Sequence, residues 1–295
     1  MSISYSSYTS NGVANGRGAA RRETVIRPPS STRFDLTGNL ARLFEYRDLL
    51  YTLSLHRIKV RYKQTALGIS WAILQPLAIM LLFTLLFSLI VKMPSEGVPY
   101  AAFAYTALLP WTYFSTALSN GANGLVSNSQ LITRVYFPRE ILPLTYVIAA
   151  LFDLMIASSV MLALMIHYKI SFTLHLLYAI PIILVLTLFV SAMSLLLSAL
   201  QVRLRDIGLA MPLLLQLWMF ATPVAYPLSA VPERLRGLYM LNPMVGIIEN
   251  FRRAVLHGLA PDLRSLTWAG LISLAMLVAS YAFFKRVEAT MIDII

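Results

Sequence analysis

The stretch of residues 69–91 contains 23 residues and no charged side chain. A helix of that length extends about 34 Å at 1.5 Å per residue, which is enough to cross the hydrocarbon core of a bilayer. Other long apolar runs follow it, and the whole chain is 58% hydrophobic but only 13% charged. Soluble domains usually carry about a quarter charged residues. We therefore expect an all-α integral membrane protein.

Six stretches have the composition of membrane spans. They comprise residues 69–91, 100–120, 141–166, 174–200, 207–226 and 265–284. Six crossings place both ends of the chain on one side of the membrane. Because 11 of the 24 Lys and Arg residues precede residue 64, the positive-inside rule predicts that this side is the cytoplasm.

The region before the first span has two parts. Residues 1–36 are rich in Ser, Gly, Asn and Arg, so they predict a disordered basic tail. Residues 37–68 predict an amphipathic helix in the membrane interface, since apolar side chains share one face and cations accompany them. The cationic part of this helix contains Arg57, Lys59, Arg61, Tyr62 and Lys63. The rest of the chain, residues 69–295, is the predicted six-span domain.

Residues 126–143 form a polar and basic island between two apolar runs. Ser127 and Gln130 have the spacing of a capping box, and Pro138 disfavours helical geometry at the residue before it. A helix of about two turns is predicted here, with Arg134 exposed. An ordinary cytoplasmic loop on the lipid headgroups is the alternative. The residues offered for contact with another protein are Gln130, Leu131, Arg134, Tyr136, Phe137, Pro138 and Arg139.

The segment of residues 227–264 lies outside the cell in this topology. Its apolar pieces, residues 238–248 and 251–259, are too short to cross a bilayer. They predict re-entrant helices that return to the side from which they came. Such helices need protein or water around their polar backbone ends.

The sequence also restricts the chemistry of the chain. It has no Gly-x-x-x-x-Gly-Lys-Ser/Thr phosphate loop, so the chain is not expected to bind ATP or Mg²⁺ itself. It has no cysteine, and its four histidines are scattered, so no metal site is expected. The net charge of +11 is concentrated before the first span, which suits anionic membrane lipids rather than nucleic acid.

Asp153 is the single ionisable residue deep inside a predicted span. Intramembrane acids are costly and often functional. The alternative is a protonated or hydrogen-bonded contact between helices, for which Gln75 or Gln216 is the predicted partner.

Aromatic side chains concentrate in the first, second and fifth spans. Flat rings suit the C–H faces of sugars, whereas most aromatic residues in membrane spans are lipid or interface anchors. Both interpretations remain open for each ring. The candidate path residues are Phe83, Phe87, Tyr105, Trp111, Tyr113, Phe114, Trp218, Phe220 and Tyr226.

Three stretches within residues 40–290 together resemble one family, the permease subunits of type-2 ABC exporters that carry O-antigen, capsule or teichoic-acid polymers. Within it, the O-antigen exporter permeases are resembled most. The stretches are Arg61-Tyr62-Lys63 with Leu67-Gly68, Trp71 and Gln75-Pro76; the island with Phe137-Pro138-Arg139-Glu140 at its centre; and Arg205-Asp206-Ile207 with Pro223, Pro232, Asn242-Pro243 and Glu249-Asn250-Phe251-Arg252.

The resemblance implies a homodimer in the cytoplasmic (inner) membrane of a bacterium, with lipid-linked polysaccharide as substrate. It implies a separate nucleotide-binding ATPase subunit that binds ATP and Mg²⁺, so this chain is not an enzyme on its own. The island becomes the coupling helix that contacts the ATPase. The outer gate is expected to contain Asn242, Pro243, Glu249, Arg252 and Arg253.

Two alternative functions remain at this point. One is a type-2 exporter of a drug or another small amphiphile. The other is a membrane-bound enzyme that acts on lipid-linked sugars. The absence of a convincing acid–base pair or nucleophile constellation counts against the enzyme.

Overall fold

The computed structural model describes residues 42–63, 65–288 and 291. Within these residues every regular element is helical, as predicted. The predicted tail, residues 1–36, lies outside the described part of the chain. The helices are α1 (Arg47–Lys63), α2 (Trp71–Phe83), α3 (Tyr100–Ala122), α4 (Ser129–Arg134), α5 (Ile141–His167), α6 (Ala179–Arg203), α7 (Asp206–Phe220), α8 (Glu233–Tyr239), α9 (Pro243–Val255) and α10 (Leu263–Glu288).

Four described segments are long and apolar enough to cross a membrane. They are Gly68–Ile90, Ile141–His167, Leu174–Arg203 and Leu263–Glu288. These segments correspond to the first, third, fourth and sixth predicted spans. Their length and composition agree with an integral membrane protein.

The other two predicted spans have a different character. Helix α3 has 23 residues, but most of its side chains are buried against other helices. Helix α7 has 15 residues, or about 22 Å, which is shorter than a hydrocarbon core of about 30 Å. The predicted end of the fifth span at Tyr226 is wrong, because α7 ends at Phe220 and the chain turns before Pro223, which has no N–H to continue a helix. The count of six crossings stays a prediction.

Helix α3 forms the centre of the core. It packs against α2, α5, α6, α7 and α9. Small residues such as Ala102, Ala104 and Ala107 are fully buried and allow neighbouring helices to approach closely. The polar tips of its tyrosines are satisfied inside the core: the Tyr105 hydroxyl donates to the Ala157 carbonyl at 2.9 Å, and the Tyr113 hydroxyl donates to the Thr187 hydroxyl at 3.2 Å.

Helix α1 is the described part of the predicted interface helix, which ends at Lys63 instead of residue 68. It packs against α5. The chain then turns into α2 at Gly68, whose φ of +51° is unfavourable for residues with a Cβ. Arg57, which disturbs the apolar face in the sequence, donates to the Asn128 side-chain oxygen at 2.6 Å and lies 4.3 Å above the ring centre of Tyr146. It therefore contacts protein groups on this face.

Two local boundaries in the island differ from the sequence prediction. The capping box is wrong: the Ser127 hydroxyl donates back to the Asn123 carbonyl at 2.8 Å, inside a 3₁₀ turn over Val126–Asn128. Helix α4 begins after that turn and contains six residues. The chain is extended at Val135, so the stub is shorter than the two turns expected.

The re-entrant segment is also divided differently. The sequence suggested a break between residues 248 and 251, but α9 runs through this position without interruption. Its start is fixed by Asn242, whose side-chain oxygen accepts from the Met244 N–H at 3.1 Å, and by Pro243 in the first turn. The preceding helix, α8, is a separate piece of seven residues.

Candidate functional site: the connector, the Asp153 cavity and the buried arginine of α9

We call residues 126–140 the connector. Its exposed side chains lie on and directly after α4: Tyr136 is 60% exposed, and Gln130, Arg134 and Val135 are also exposed. Leu131 is half-buried. A cation, an aromatic ring and an apolar side chain on one short segment are a composition that favours contact with another protein.

The second half of the connector is buried in the protomer. Phe137 is 5% exposed and packs with Ile132 and Ile141, while Pro138 is half-buried. Arg139 is 8% exposed. These residues were predicted to contact a partner, but in this chain Phe137 and Arg139 are held by the protomer itself.

A buried ionic cluster ties the connector to the end of α10. Glu140 accepts from the Lys285 ammonium at 2.8 Å and from the Tyr281 hydroxyl at 3.1 Å. Glu288 accepts from the same ammonium at 2.9 Å and from the Arg139 backbone N–H at 3.3 Å, and the Arg139 guanidinium donates to the Glu288 carbonyl. Breaking a buried, fully bonded cluster of this kind is strongly destabilising. The connector should therefore move together with α10.

Sequence reasoning missed this cluster, although Glu140 belongs to one of the stretches that carry the family resemblance. Lys285 and Glu288 are three residues apart in the sequence, and this spacing predicts an ion pair between neighbours on one face of a helix. The partner on the connector is more than 140 positions away in the chain, so the full cluster required the fold.

Asp153 joins α5 to the end of α1. Arg61 donates to one of its carboxylate oxygens, and the Tyr62 hydroxyl donates to the other. The predicted bonds to Gln75 or Gln216 are wrong, because among the described residues the hydrogen-bond donors to Asp153 are Arg61 and Tyr62 of the interface helix. Burial, together with the hydrogen bond to Asp153, raises the pKa of Tyr62 well above its ordinary value, so this hydroxyl stays protonated and donates.

A cavity of about 250 Å³ opens beside this ion pair. It lies where the end of α1, the start of α2 and the middle of α3 and α5 come together. We call it the Asp153 cavity. Its lining residues are Arg61, Tyr62, Thr65, Trp71, Ala72, Gln75, Pro76, Thr112, Tyr113, Thr116, Ala150, Asp153, Leu154 and Ala157.

The predicted gate residues surround a buried arginine. Arg252 on α9 is 1% exposed; it donates to the Val224 carbonyl at 2.7 Å and to the Tyr226 carbonyl at 3.4 Å. Its guanidinium also lies 3.8 Å from the ring centre of Phe103. Burial lowers the pKa of Arg252 to about 10, which still leaves it charged at neutral pH.

The neighbouring gate residues have distinct surroundings. Burial raises the pKa of Glu249, and the nearby Arg252 opposes that shift. Arg253 is half-buried, and its guanidinium donates to the Ala260 carbonyl at 3.3 Å in an exposed hydrogen bond. Asn242 connects α9 to the turn after α7, because its side-chain amide donates to the Thr222 hydroxyl at 2.9 Å. The residues from 221 to 226 are therefore fixed by α9.

The nine candidate path aromatics divide by accessibility. Phe83, Tyr105, Trp111, Tyr113 and Phe114 are buried in the protomer core. Phe87, Trp218 and Tyr226 are half-buried, and Phe220 is 52% exposed. The ring of Phe114 packs edge-on against that of Trp218 with centroids 4.9 Å apart, an arrangement that stabilises helix packing.

The sequence model of ABC-2 type transporters matches residues 48–256, which is more than half of the chain. This chain belongs to the ABC-2 type transporter family. The match runs from α1 to the end of α9, so it includes the connector, the Asp153 cavity and the buried arginine. The resemblance inferred from the three sequence stretches is confirmed at the level of the family.

Curated relatives of this ABC-2 transporter chain share a description. The chain is 33% identical over 245 residues to the O-antigen export system permease protein RfbA of Myxococcus xanthus, covering 82% of this chain and 94% of that protein. It is 30% and 28% identical over 170 residues to two proteins of the same name from Klebsiella pneumoniae, covering 57% of this chain and 64% of each relative.

Proposed function

We propose that this chain is the membrane-spanning permease subunit of an ATP-driven exporter, and that the exporter moves a lipid-linked, O-antigen-like polysaccharide across the cytoplasmic membrane. The observation that carries the proposal is the alignment with the RfbA permease of Myxococcus xanthus over 94% of its length. The similarity therefore extends over nearly the whole relative and not over one shared module.

The energy source is a separate ATPase that binds ATP and Mg²⁺. The full sequence has no phosphate loop, so a family member of this kind must obtain its driving force from a partner. The connector is the proposed docking surface, with Gln130, Arg134, Val135 and Tyr136 as its accessible side chains. The buried cluster around Glu140 supports this role because it would pass a displacement of the connector to α10.

The translocation path lies between two copies of the chain. The described protomer packs most candidate path aromatics inside its own core, where they cannot contact a polymer. The exposed polar or aromatic side chains on the apolar helices α2 and α7 are Trp71, Gln75, Asp206, Gln216 and Phe220. A two-fold pair of protomers would place such faces opposite each other and enclose a path that one protomer lacks.

The proposed orientation places both termini and the connector in the cytoplasm and α8 and α9 on the outer side. In this arrangement α9 and the turn after α7 form the outer gate, which Arg252 holds together. The chain is a subunit of a transporter and performs no covalent chemistry on the glycan.

Deletion of the chromosomal gene in a strain that makes the polysaccharide tests this function. The account predicts that finished lipid-linked glycan accumulates inside the cell and disappears from the surface, and that a plasmid copy restores it. An exporter of small amphiphiles would leave surface glycan unchanged. A polymerase or ligase would instead change the length or linkage of the intracellular glycan.

A further inference from the structure

The Asp153 cavity carries a set of polar groups that the protomer does not use. Neither the Gln75 side-chain amide nor the Thr116 hydroxyl has a hydrogen-bond partner among the described residues. Arg61 uses one of its guanidinium N–H groups for Asp153, and its side chain is 38% exposed. Polar groups in a membrane segment are costly when they face lipid. Their convergence on one cavity indicates a polar occupant.

The charge of the cavity excludes a strongly ionic ligand. Its single cation, Arg61, and its single anion, Asp153, form an ion pair with each other. A phosphate group would meet the Asp153 carboxylate, and a cation would meet the Arg61 guanidinium. A neutral ligand with several hydroxyl groups is repelled by neither charge. It can form hydrogen bonds with the remaining N–H groups of Arg61, the Gln75 amide and the Thr116 hydroxyl.

The shape and the aromatic wall point to one ring. A volume of about 250 Å³ lies just below the range of roughly 300–1,000 Å³ for drug-sized ligands, so it accommodates a single ring-sized group. Trp71, which is 51% exposed, forms part of the wall. An indole face covers the C–H face of a sugar, while the planar amide and guanidinium bond to its hydroxyl edge.

We propose that the Asp153 cavity binds one sugar of the lipid-linked glycan, namely a sugar close to the lipid. This inference rests on the proposed function. The lipid tail keeps the first sugars close to the bilayer, and the cavity is lined by the end of the interface helix α1 and the start of the first span. The site therefore receives the substrate as it enters from the cytoplasmic leaflet.

A single-cysteine reporter tests the site, because the native chain has no cysteine. Ala72→Cys lines the cavity and removes no hydrogen bond, while Glu45→Cys is an exposed control outside the cavity. Labelling by N-ethylmaleimide is compared in membrane vesicles from cells that make the lipid-linked glycan and from cells without the first glycosyltransferase. The glycan should slow the labelling of Ala72→Cys at least five-fold and leave Glu45→Cys unchanged.

A second experiment removes the two cavity groups that have no hydrogen-bond partner in the protomer, the Gln75 amide and the Thr116 hydroxyl. Adding Gln75→Leu and Thr116→Val to the reporter should bring its labelling rate to within two-fold of the glycan-free rate, since each lost hydrogen bond weakens binding by about three- to ten-fold. Protection that persists in this variant would contradict the proposal. So would an identical rate with and without glycan, or equal protection by octyl phosphate in glycan-free vesicles, which would assign the cavity to a phosphate.

Measurement of surface glycan in the same cells distinguishes failure of the proposed sugar site from failure of the proposed exporter function. If surface glycan requires the wild-type chain but Ala72→Cys is never protected, the sugar site is wrong and the exporter function stands. If deletion of the chain leaves surface glycan unchanged, the exporter function itself fails.

Discussion

Arg252 illustrates how a single side chain can stabilise an otherwise irregular region. Residues 221–226 have carbonyl groups without helical partners, and the Arg252 guanidinium satisfies two of them, those of Val224 and Tyr226. An arginine with five donors in a fixed planar geometry suits this task better than a lysine. Its interaction with the Phe103 ring also ties α9 to α3.

We predict that Arg252→Met lowers the free energy of unfolding by about 2–3 kcal/mol, because two buried carbonyls lose their donor. Thermal unfolding of the purified protein in detergent measures the change. Arg253→Met is the matched control on the same helix, and its effect should be within about 0.5 kcal/mol. Equal effects of the two substitutions would show that the buried contacts of Arg252 do not stabilise the turn.

We also predict that Asp153→Asn loosens the end of α1. Arg61 and Tyr62 would lose a charged acceptor, but Arg61 is partly exposed and can be solvated, so the expected cost is about 1 kcal/mol. Hydrogen exchange at the end of α1 should accelerate about five-fold. Unchanged exchange there would mean that the ion pair does not hold the interface helix; Ser159→Asn, on an exposed position of α5, is the control.

At the scale of elements, local sequence pattern is sufficient to predict the long membrane helices but not the boundaries of the short helices in the connector. The long uncharged runs predicted the spans that contain α2 or overlap with α5, α6 and α10, because composition and length determine such helices almost alone. Pro138 predicted an end of the stub next to Phe137, but α4 already ends at Arg134. The capping box at Ser127 failed because its hydroxyl is taken by the Asn123 carbonyl in a turn that the spacing does not reveal.

The site depends on long-range contacts, and these were less predictable. Asp153 stood out in the sequence as an isolated intramembrane acid, yet its partners, Arg61 and Tyr62, were assigned to a helix expected to face the membrane. The sequence predicts Phe137 as an exposed contact residue, because apolar residues on a short helix between two spans often face a partner protein. Its burial against Ile132 and Ile141 follows from the way the connector folds back onto the helix ends.

The prediction at the scale of elements concerns binding of the ATPase to the connector. Arg134→Glu combined with Tyr136→Ala should reduce co-purification of the ATPase at least ten-fold, because exposed arginine and aromatic residues dominate such contacts. Membrane insertion should be unchanged, since both side chains are exposed. Arg264→Glu is the control: it is an exposed charge reversal about 30 Å along α10 from Lys285. Full recovery of the ATPase with the double variant would remove the connector from the interface.

At the scale of the whole molecule, the proposed orientation rests on charge and on the order of the helices. The basic helix α1 contacts the connector, as the bond between Arg57 and Asn128 shows. Both should therefore be on the cytoplasmic side. Helices α8 and α9 follow α7, and the orientation requires α7 to cross the membrane although it has only 15 residues.

Cysteine labelling tests that orientation. Arg234→Cys on α8 should react with a membrane-impermeant maleimide in intact spheroplasts, whereas Arg134→Cys in the connector should react only after the membrane is opened. Both positions are exposed and the background contains no cysteine. Reaction of Arg234→Cys only after opening would mean that α7 does not cross and that the orientation of this region must be reversed.

The central claim is that this chain and a separate ATPase together move a finished lipid-linked glycan. Proteoliposomes containing the purified chain, its co-purified ATPase and the lipid-linked glycan test it directly, with a glycan-binding lectin measuring movement between the two leaflets. The account predicts movement that requires both proteins and ATP hydrolysis and leaves the covalent structure of the glycan unchanged. Movement at the same rate without the ATPase, or a new covalent glycan product formed by the chain alone, would contradict it.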